Sequence, residues 1–223
     1  MNYSLMSTYK CNWNCPYCVT NTHSQPDVID HSMVIGQVPF ITDEDILFKL
    51  NEIQPNSEVS LSGGEPGLVS KENIEIIFNN LLEKNCKISI NTNGLFFKKY
   101  PEYDNLISYY LYHFSENLDL TKDHYIPEIN KEKITFMLVV TNENYSRLDE
   151  FLEKYKDITF SIFAATKNKL EDERYILSKK NSFEIYKKYK DRLDPDSIKN
   201  LLLTCKETER NKRLTHVWVI YTI

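Results

Sequence analysis

Strand-like and helix-like patterns alternate about six times over the first 165 residues, and nothing else in the chain restricts its fold as strongly. Asn2 to Tyr9 can be extended, with Tyr3, Leu5, Ser7 and Tyr9 alternating against Ser4, Met6 and Thr8. Val19 to Phe40 has no sustained period and contains Pro26, Gly36 and Pro39, so it reads as a long excursion. Thr42-Asp43-Glu44-Asp45 then starts a helix with Ile46, Leu47, Leu50 and Ile53 on one face. Ser57 to Leu61 is a second strand, and Ser70 caps a second helix over Lys71 to Lys84 whose Ile74, Ile77, Phe78, Leu81 and Leu82 share a face. Cys86 to Ile90 is the third strand and Leu106 to Phe114 contains a fourth. Lys133 to Val140 is a fifth, apolar enough to be buried on both sides. A helix over Asn144 to Lys156 carries Leu148, Phe151, Leu152 and Tyr155 on one stripe, and Thr159 to Ala164 is the sixth strand.

Such alternation specifies parallel strands joined by right-handed crossovers. Six units cannot close an eight-fold barrel. The expected fold class is therefore α/β, a partial (β/α)6 TIM-type open barrel over residues 1–165, with residues 166–223 as a helical and single-strand C-terminal tail packed on it. In that tail Leu170 to Leu193 is charged and helical with a break at Asn181-Ser182. Pro195 and Ser197 introduce another short helix, and Val217 to Ile223 looks like a closing strand.

The function classes narrow before any motif is considered. A length of 223 residues suits one well-buried core, and 41% hydrophobic with 26% charged content is that of a globular chain. A net charge of -5 gives no basic footprint, so no nucleic acid partner is expected. No apolar run reaches the roughly 18 residues of a membrane span. The start of the chain lacks a secretory pattern, which makes a cytoplasmic setting the expectation. Its five cysteines are then thiols or metal ligands rather than a disulfide framework. Cys86 reads as a buried structural thiol and Cys205 as core filling.

The chemistry gathers at strand ends, which a parallel sheet brings to one rim. After the first strand comes Cys11-Asn12-Trp13-Asn14-Cys15-Pro16-Tyr17-Cys18, three thiols on one short loop, suited to iron-sulfur or zinc chemistry. Four ligands complete a tetrahedral site. The fourth position is either filled from elsewhere, for example by His23 or His31 around zinc, or left open for a small molecule. Ser62-Gly63-Gly64-Glu65-Pro66-Gly67 follows the second strand and Asn91-Thr92-Asn93-Gly94 the third, although two glycines or an Asn-Gly pair also suffice for a plain turn. The fourth strand ends near His113 and Ser115.

The C-x3-C-x2-C spacing, with Tyr17 just before the last cysteine, resembles the signature of radical S-adenosylmethionine (SAM) enzymes. The resemblance extends in motif order from about Tyr9 to Ala165, and Thr92-Asn93-Gly94 resembles the branch with molybdenum-cofactor synthase and peptide-maturing enzymes. It implies that Cys11, Cys15 and Cys18 hold a 4Fe-4S cluster whose remaining iron is chelated by SAM. It also implies that Gly63, Gly64 and Glu65 meet the amino group of the methionine moiety. Thr92 and Asn93 would lie on the cofactor rim, and Ser115 would face ribose or carboxylate, though Glu116-Asn117 departs from the family pattern. Tyr17 would shield the cluster, or simply pack beneath the loop, as Trp13 is expected to do. Val139 to Asn144 looks like a segment that relatives use near adenine, and equally like a buried strand with a polar exit.

The reaction so implied is reductive cleavage of SAM to a 5'-deoxyadenosyl radical that modifies a peptide or small-molecule substrate, with an electron donor such as flavodoxin or ferredoxin. A glycyl-radical activase and a deazaguanine-forming enzyme are alternatives within the family. Outside it stands a non-catalytic protein stapled by a cluster or zinc. Since the tail holds only Cys205, a second cluster is not expected.

Overall fold

The computed structural model describes residues 2–8, 10–13, 15, 43–114, 118, 131–164 and 175–206, with 43–46 and 205–206 described for backbone only. Six strands, β1 (Asn2–Thr8), β2 (Glu58–Gly63), β3 (Lys87–Thr92), β4 (Ile107–His113), β5 (Ile134–Val140) and β6 (Thr159–Ala164), form one sheet in sequential order. All five pairings are parallel. The helices are α1 (Asp43–Glu52), α2 (Lys71–Glu83), α3 (Leu95–Lys99), α4 (Leu148–Lys154), α5 (Lys179–Tyr189) and α6 (Pro195–Lys206).

Sequential order means that every crossover steps the same way, so right-handed connections put the helices on one face. Burial agrees. Leu5, Leu61, Ile90, Tyr112, Phe136 and Ile162, one from each strand, share a single core with Leu50, Phe78, Phe151, Ile185 and Leu201 of the helices. The alternate residues Ser62, Asn91, His113, Val139 and Phe163 are only half-buried and line the opposite, concave face. This is the open partial barrel that the alternation predicts. In β5 the expected burial on both faces is met at Met137, while Thr135 and Val139 stay half-buried.

Tyr109 closes the amino end of the concave face. It pairs in register with Ser89 of β3, and its hydroxyl donates to Glu58 of β2, so the side chain spans the strand between. Ser89 is fully covered as a result. The carboxyl ends of the strands lie at the opposite end, which leaves the rim as the place for ligands.

Several features differ from the pattern-based expectation. α3 and the 3-10 turn Pro101–Leu106 form the crossover between β3 and β4 and carry no expected helix. The helix expected over Asn144 to Lys156 is a 3-10 turn, Tyr145–Arg147, running into α4. The break expected at Asn181-Ser182 is a helix start. Ser178 caps α5 by accepting the Asn181 N–H at 3.1 Å, which places Asn181 and Ser182 in a first turn that tolerates them. Residues 170–174 and the strand expected over Val217 to Ile223 lie outside the described residues.

The helix introduced by Pro195 is longer than expected, and it covers the sheet edge. The N–H groups of Ile162 and Ala164 on β6 donate to Ser197 Oγ at 2.8 Å and Asn200 Oδ1 at 2.7 Å. An unpaired strand edge is thereby satisfied by helix side chains. Asp194 caps α6, accepting the N–H of Asp196 at 2.9 Å and of Ser197 at 3.0 Å. Cys86 is buried, as expected, and Cys205 falls on α6. Among the described residues no helix is long and apolar enough to cross a membrane.

Candidate functional site

The turn after β2 fastens the end of β1. Gly63 has φ +117, and a Cβ there would sit 2.2 Å from the Thr8 carbonyl oxygen, so only glycine fits. Gly64 N–H donates to that oxygen at 2.6 Å, and Glu65 N–H donates to the Lys10 carbonyl at 2.8 Å. The backbone entering Cys11 is held on both counts, and Gly63 and Gly64 remain half-exposed at the rim.

Glu65 is fully buried, and its carboxylate joins this turn to the end of β3. Oε1 accepts the Gly67 N–H at 2.8 Å and the Thr92 hydroxyl at 2.8 Å, while Oε2 accepts the Asn93 N–H at 2.6 Å. Burial is the largest influence on this carboxyl and pushes its pKa up; the N–H groups of Asn93 and Gly67 and the Thr92 hydroxyl pull the other way without prevailing. Both oxygens thus serve the protein interior. What the turn presents outward is the backbone of the two glycines.

The exit of β3 reaches the cysteine loop. Thr92 Oγ1 accepts the Gly94 N–H at 3.0 Å. Asn93 Oδ1 accepts the Leu95 N–H at 3.3 Å, and its Nδ2 donates to Asn12 Oδ1 at 2.9 Å and toward Cys11 Sγ at 3.7 Å. The Trp13 N–H also donates to Cys11 Sγ, at 3.4 Å. Cys11 is exposed and Cys15 half-buried. Direct hydrogen bonds therefore tie Gly64 and Glu65 to the exit of β1, Glu65 to Thr92 and Asn93, and Asn93 to Cys11, while Gly63 lies against Thr8 and Cys15 shares the loop. Tyr17, Cys18 and Ser115 lie outside the described residues.

On the far side of the rim, His113 ends β4 on the concave face, and burial lowers its pKa to about 4. The imidazole is neutral at ordinary pH. Beyond β5, Asn144 is fully buried, its Oδ1 accepting the Thr141 N–H at 2.8 Å and its Nδ2 donating to the Val139 carbonyl at 3.0 Å. Asn142 Oδ1 accepts from Ser178 N–H at 2.8 Å and Asn181 Nδ2 at 3.1 Å. The polar exit of this strand is thus occupied in building its own turn and holding α5. Asn12 is a site residue that the motif pattern does not point to, because its role depends on a partner 81 residues away.

The described part of the donor set fits an iron-sulfur cluster. Two thiols stand at an accessible rim, and two N–H groups are aimed at one of their sulfurs, as suits a thiolate ligand. Sheet order, one-sided helices and a rim of glycine-rich and thiol-bearing strand ends define a partial (β/α) barrel with its candidate site at the carboxyl ends of the strands. The family model of the Radical SAM superfamily matches residues 5–125, and the chain belongs to that superfamily.

Solved structures agree in fold. The chain is 19% identical to the histidine-tagged anSMEcpe with bound AdoMet, an anaerobic sulfatase-maturing enzyme, at a TM-score of 0.60, covering 85% of this chain and 57% of that one. Native anSMEcpe with bound AdoMet matches at a TM-score of 0.55 and 19% identity, covering 85% of this chain and 59% of that one. Native anSMEcpe with AdoMet and the Cp18Cys peptide matches at 0.54 and 17% identity, covering 85% and 58%. The chain therefore spans less than two thirds of the length of these structures. No curated protein matches the sequence.

Proposed function

We propose that the chain is a radical SAM enzyme that holds a 4Fe-4S cluster on Cys11, Cys15 and Cys18, binds SAM beside it, and modifies a peptide or small-molecule substrate. The observation that carries this reading is the hydrogen-bonded union of three strand ends around Cys11: Gly64 and Glu65 hold Thr8 and Lys10, Glu65 holds Asn93, and Asn93 reaches Cys11. Cys11, Cys15 and Cys18 would hold the cluster, which would supply one electron for reductive cleavage of SAM and so the radical chemistry that removes hydrogen from substrate.

The chain's own residues do the positioning. Glu65 locks the turn after β2 against the exit of β3, so the glycine backbone and the Asn93 side chain keep a fixed spacing across the rim. Gly63 and Gly64 leave backbone, not side chain, toward a ligand there. Below them the concave face offers uncharged groups, Ser62 and Asn91 on one side and Val139 and Phe163 on the other. His113 adds a neutral imidazole, able to donate and accept hydrogen bonds without bringing charge. Such a wall supports an uncharged portion of a peptide or metabolite rather than a phosphate. An electron carrier such as flavodoxin or ferredoxin would supply reducing equivalents, and a reducing, cytoplasmic setting suits cysteines that serve as cluster ligands.

The test is anaerobic reconstitution with iron and sulfide, followed by dithionite and SAM. Formation of 5'-deoxyadenosine is expected. A fully loaded cluster that cleaves no SAM would overturn the enzyme reading, and tightly bound zinc after oxygen-free purification would favour a structural staple. Cys15→Ala should lose the brown colour of the reconstituted protein.

A further inference from the structure

The Asn93 side chain makes one contact that its turn explains and two that it does not. An Asn-Gly turn uses the asparagine oxygen to accept the N–H two residues on, and Asn93 Oδ1 does so with Leu95 at 3.3 Å. That bond also fixes the amide orientation, because the Leu95 N–H can only donate and so requires oxygen opposite it. The nitrogen end must then face the cysteine loop. There Nδ2 donates to Asn12 Oδ1 at 2.9 Å and toward Cys11 Sγ at 3.7 Å, 82 residues distant in sequence. Its backbone is anchored as well, since Glu65 Oε2 accepts its N–H at 2.6 Å.

We infer that Asn93 is a positioning residue for the cluster, whose side-chain N–H, together with the Trp13 N–H on the same sulfur, draws charge from the Cys11 thiolate and raises the cluster's reduction potential. This rests on the cluster proposed above. The physical reason is that one-electron reduction adds a negative charge shared among cluster and ligand sulfurs, and N–H dipoles aimed at a sulfur stabilise the more negative state. Asn12 has a separate part, tethering the loop to Asn93 without donating to sulfur.

The experiment is a potentiometric titration, followed by absorbance and electron paramagnetic resonance, of anaerobically reconstituted protein without SAM. Asn93→Ala should lower the midpoint potential at unchanged iron and sulfide content. Asn93→Asp should lower it further, because a carboxylate replaces the donor; being nearly isosteric and keeping an acceptor for Leu95, it also covers the case in which the alanine variant fails to fold. Asn12→Ala should leave the potential at the wild-type value. Loaded Asn93→Ala or Asn93→Asp at the wild-type potential would overturn the inference alone, and so would an equal fall in Asn12→Ala, which would assign the effect to loop tethering. A wild-type chain that assembles no cluster would remove both this inference and the proposed function.

Discussion

Glu65 Oε2 accepts the backbone N–H of Asn93 at 2.6 Å, across 28 residues of sequence, inside a fully buried carboxylate that also takes an N–H from Gly67 and the hydroxyl of Thr92. This is a structural use of an acidic residue, and truncation should be costly. Glu65→Gln turns a donor toward the Asn93 N–H and should cost about 1–3 kcal/mol, the penalty of one buried unsatisfied donor. Glu65→Ala strands the Asn93, Gly67 and Thr92 donors together and should cost more, about 3 kcal/mol or above at roughly 1 kcal/mol for each. Urea denaturation of the metal-free proteins reads both. Equal stability of wild type and Glu65→Ala would mean that the carboxylate does not join the two turns.

Gly63 is where the second turn meets the first strand. A methyl group there would stand 2.2 Å from a backbone oxygen, on a φ of +117 that L side chains rarely adopt. Gly63→Ala must therefore move Thr8 or the turn, at about 1–3 kcal/mol of strain. The displaced segment leads into Cys11, so iron incorporation during reconstitution should fall together with the urea midpoint. An alanine variant that loads iron as wild type does would show that β1 and the turn can separate without harm.

The legible parts of this fold are those whose signals are local. β6 spans Thr159–Ala164 as its alternation indicates, and α2 follows its cap Ser70 and buries Ile74, Ile77, Phe78 and Leu81 of the expected stripe, while Leu82 at its edge is exposed. α3 escapes because five residues cannot display a helical period. It is held instead by tertiary packing, with the Phe97 ring 4.5 Å from Tyr110 and 5.5 Å from Tyr112, two rings of the following strand. The rim itself was visible as four strand ends with polar or glycine-rich residues. Its wiring was not. The inward aim of Glu65 depends on donors delivered by β3, and Asn12 matters only because Asn93 arrives beside it. Local spacing shows which residues gather, while hydrogen-bond partners come from topology.

His113 gives a pH signature of the folded chain. Burial lowers its pKa from 6.5 to about 4. Between those values the unfolded chain binds a proton that the folded chain does not, so this group's contribution is fully present above pH 6.5 and is lost as pH falls toward 4. Wild type should lose stability from pH 7 to pH 5, and His113→Gln, which cannot titrate, should lose less. Proton NMR of the folded protein should show this imidazole still neutral at pH 5.5. A ring titrating near its ordinary value would mean that the concave face is wetter at the rim than its burial implies.

Ser197 tests whether the tail is part of the barrel or an appendage. Its Oγ accepts the Ile162 N–H at 2.8 Å from the edge strand and donates to Asp194, so one buried hydroxyl links the α6 cap to the sheet. Ser197→Ala leaves the Ile162 N–H without its acceptor and should cost about 1–3 kcal/mol. Exchange of the Ile162 amide hydrogen should accelerate, with the Ala164 amide following to a smaller degree because Asn200 still accepts from it at 2.7 Å. An unpaired edge also invites strand addition from another molecule, so the variant should associate more readily on mild heating. If Ile162 exchange is unchanged, the Ser197 hydroxyl does not guard the edge, and α6 is held to the sheet by Asn200 and by its apolar packing through Leu201.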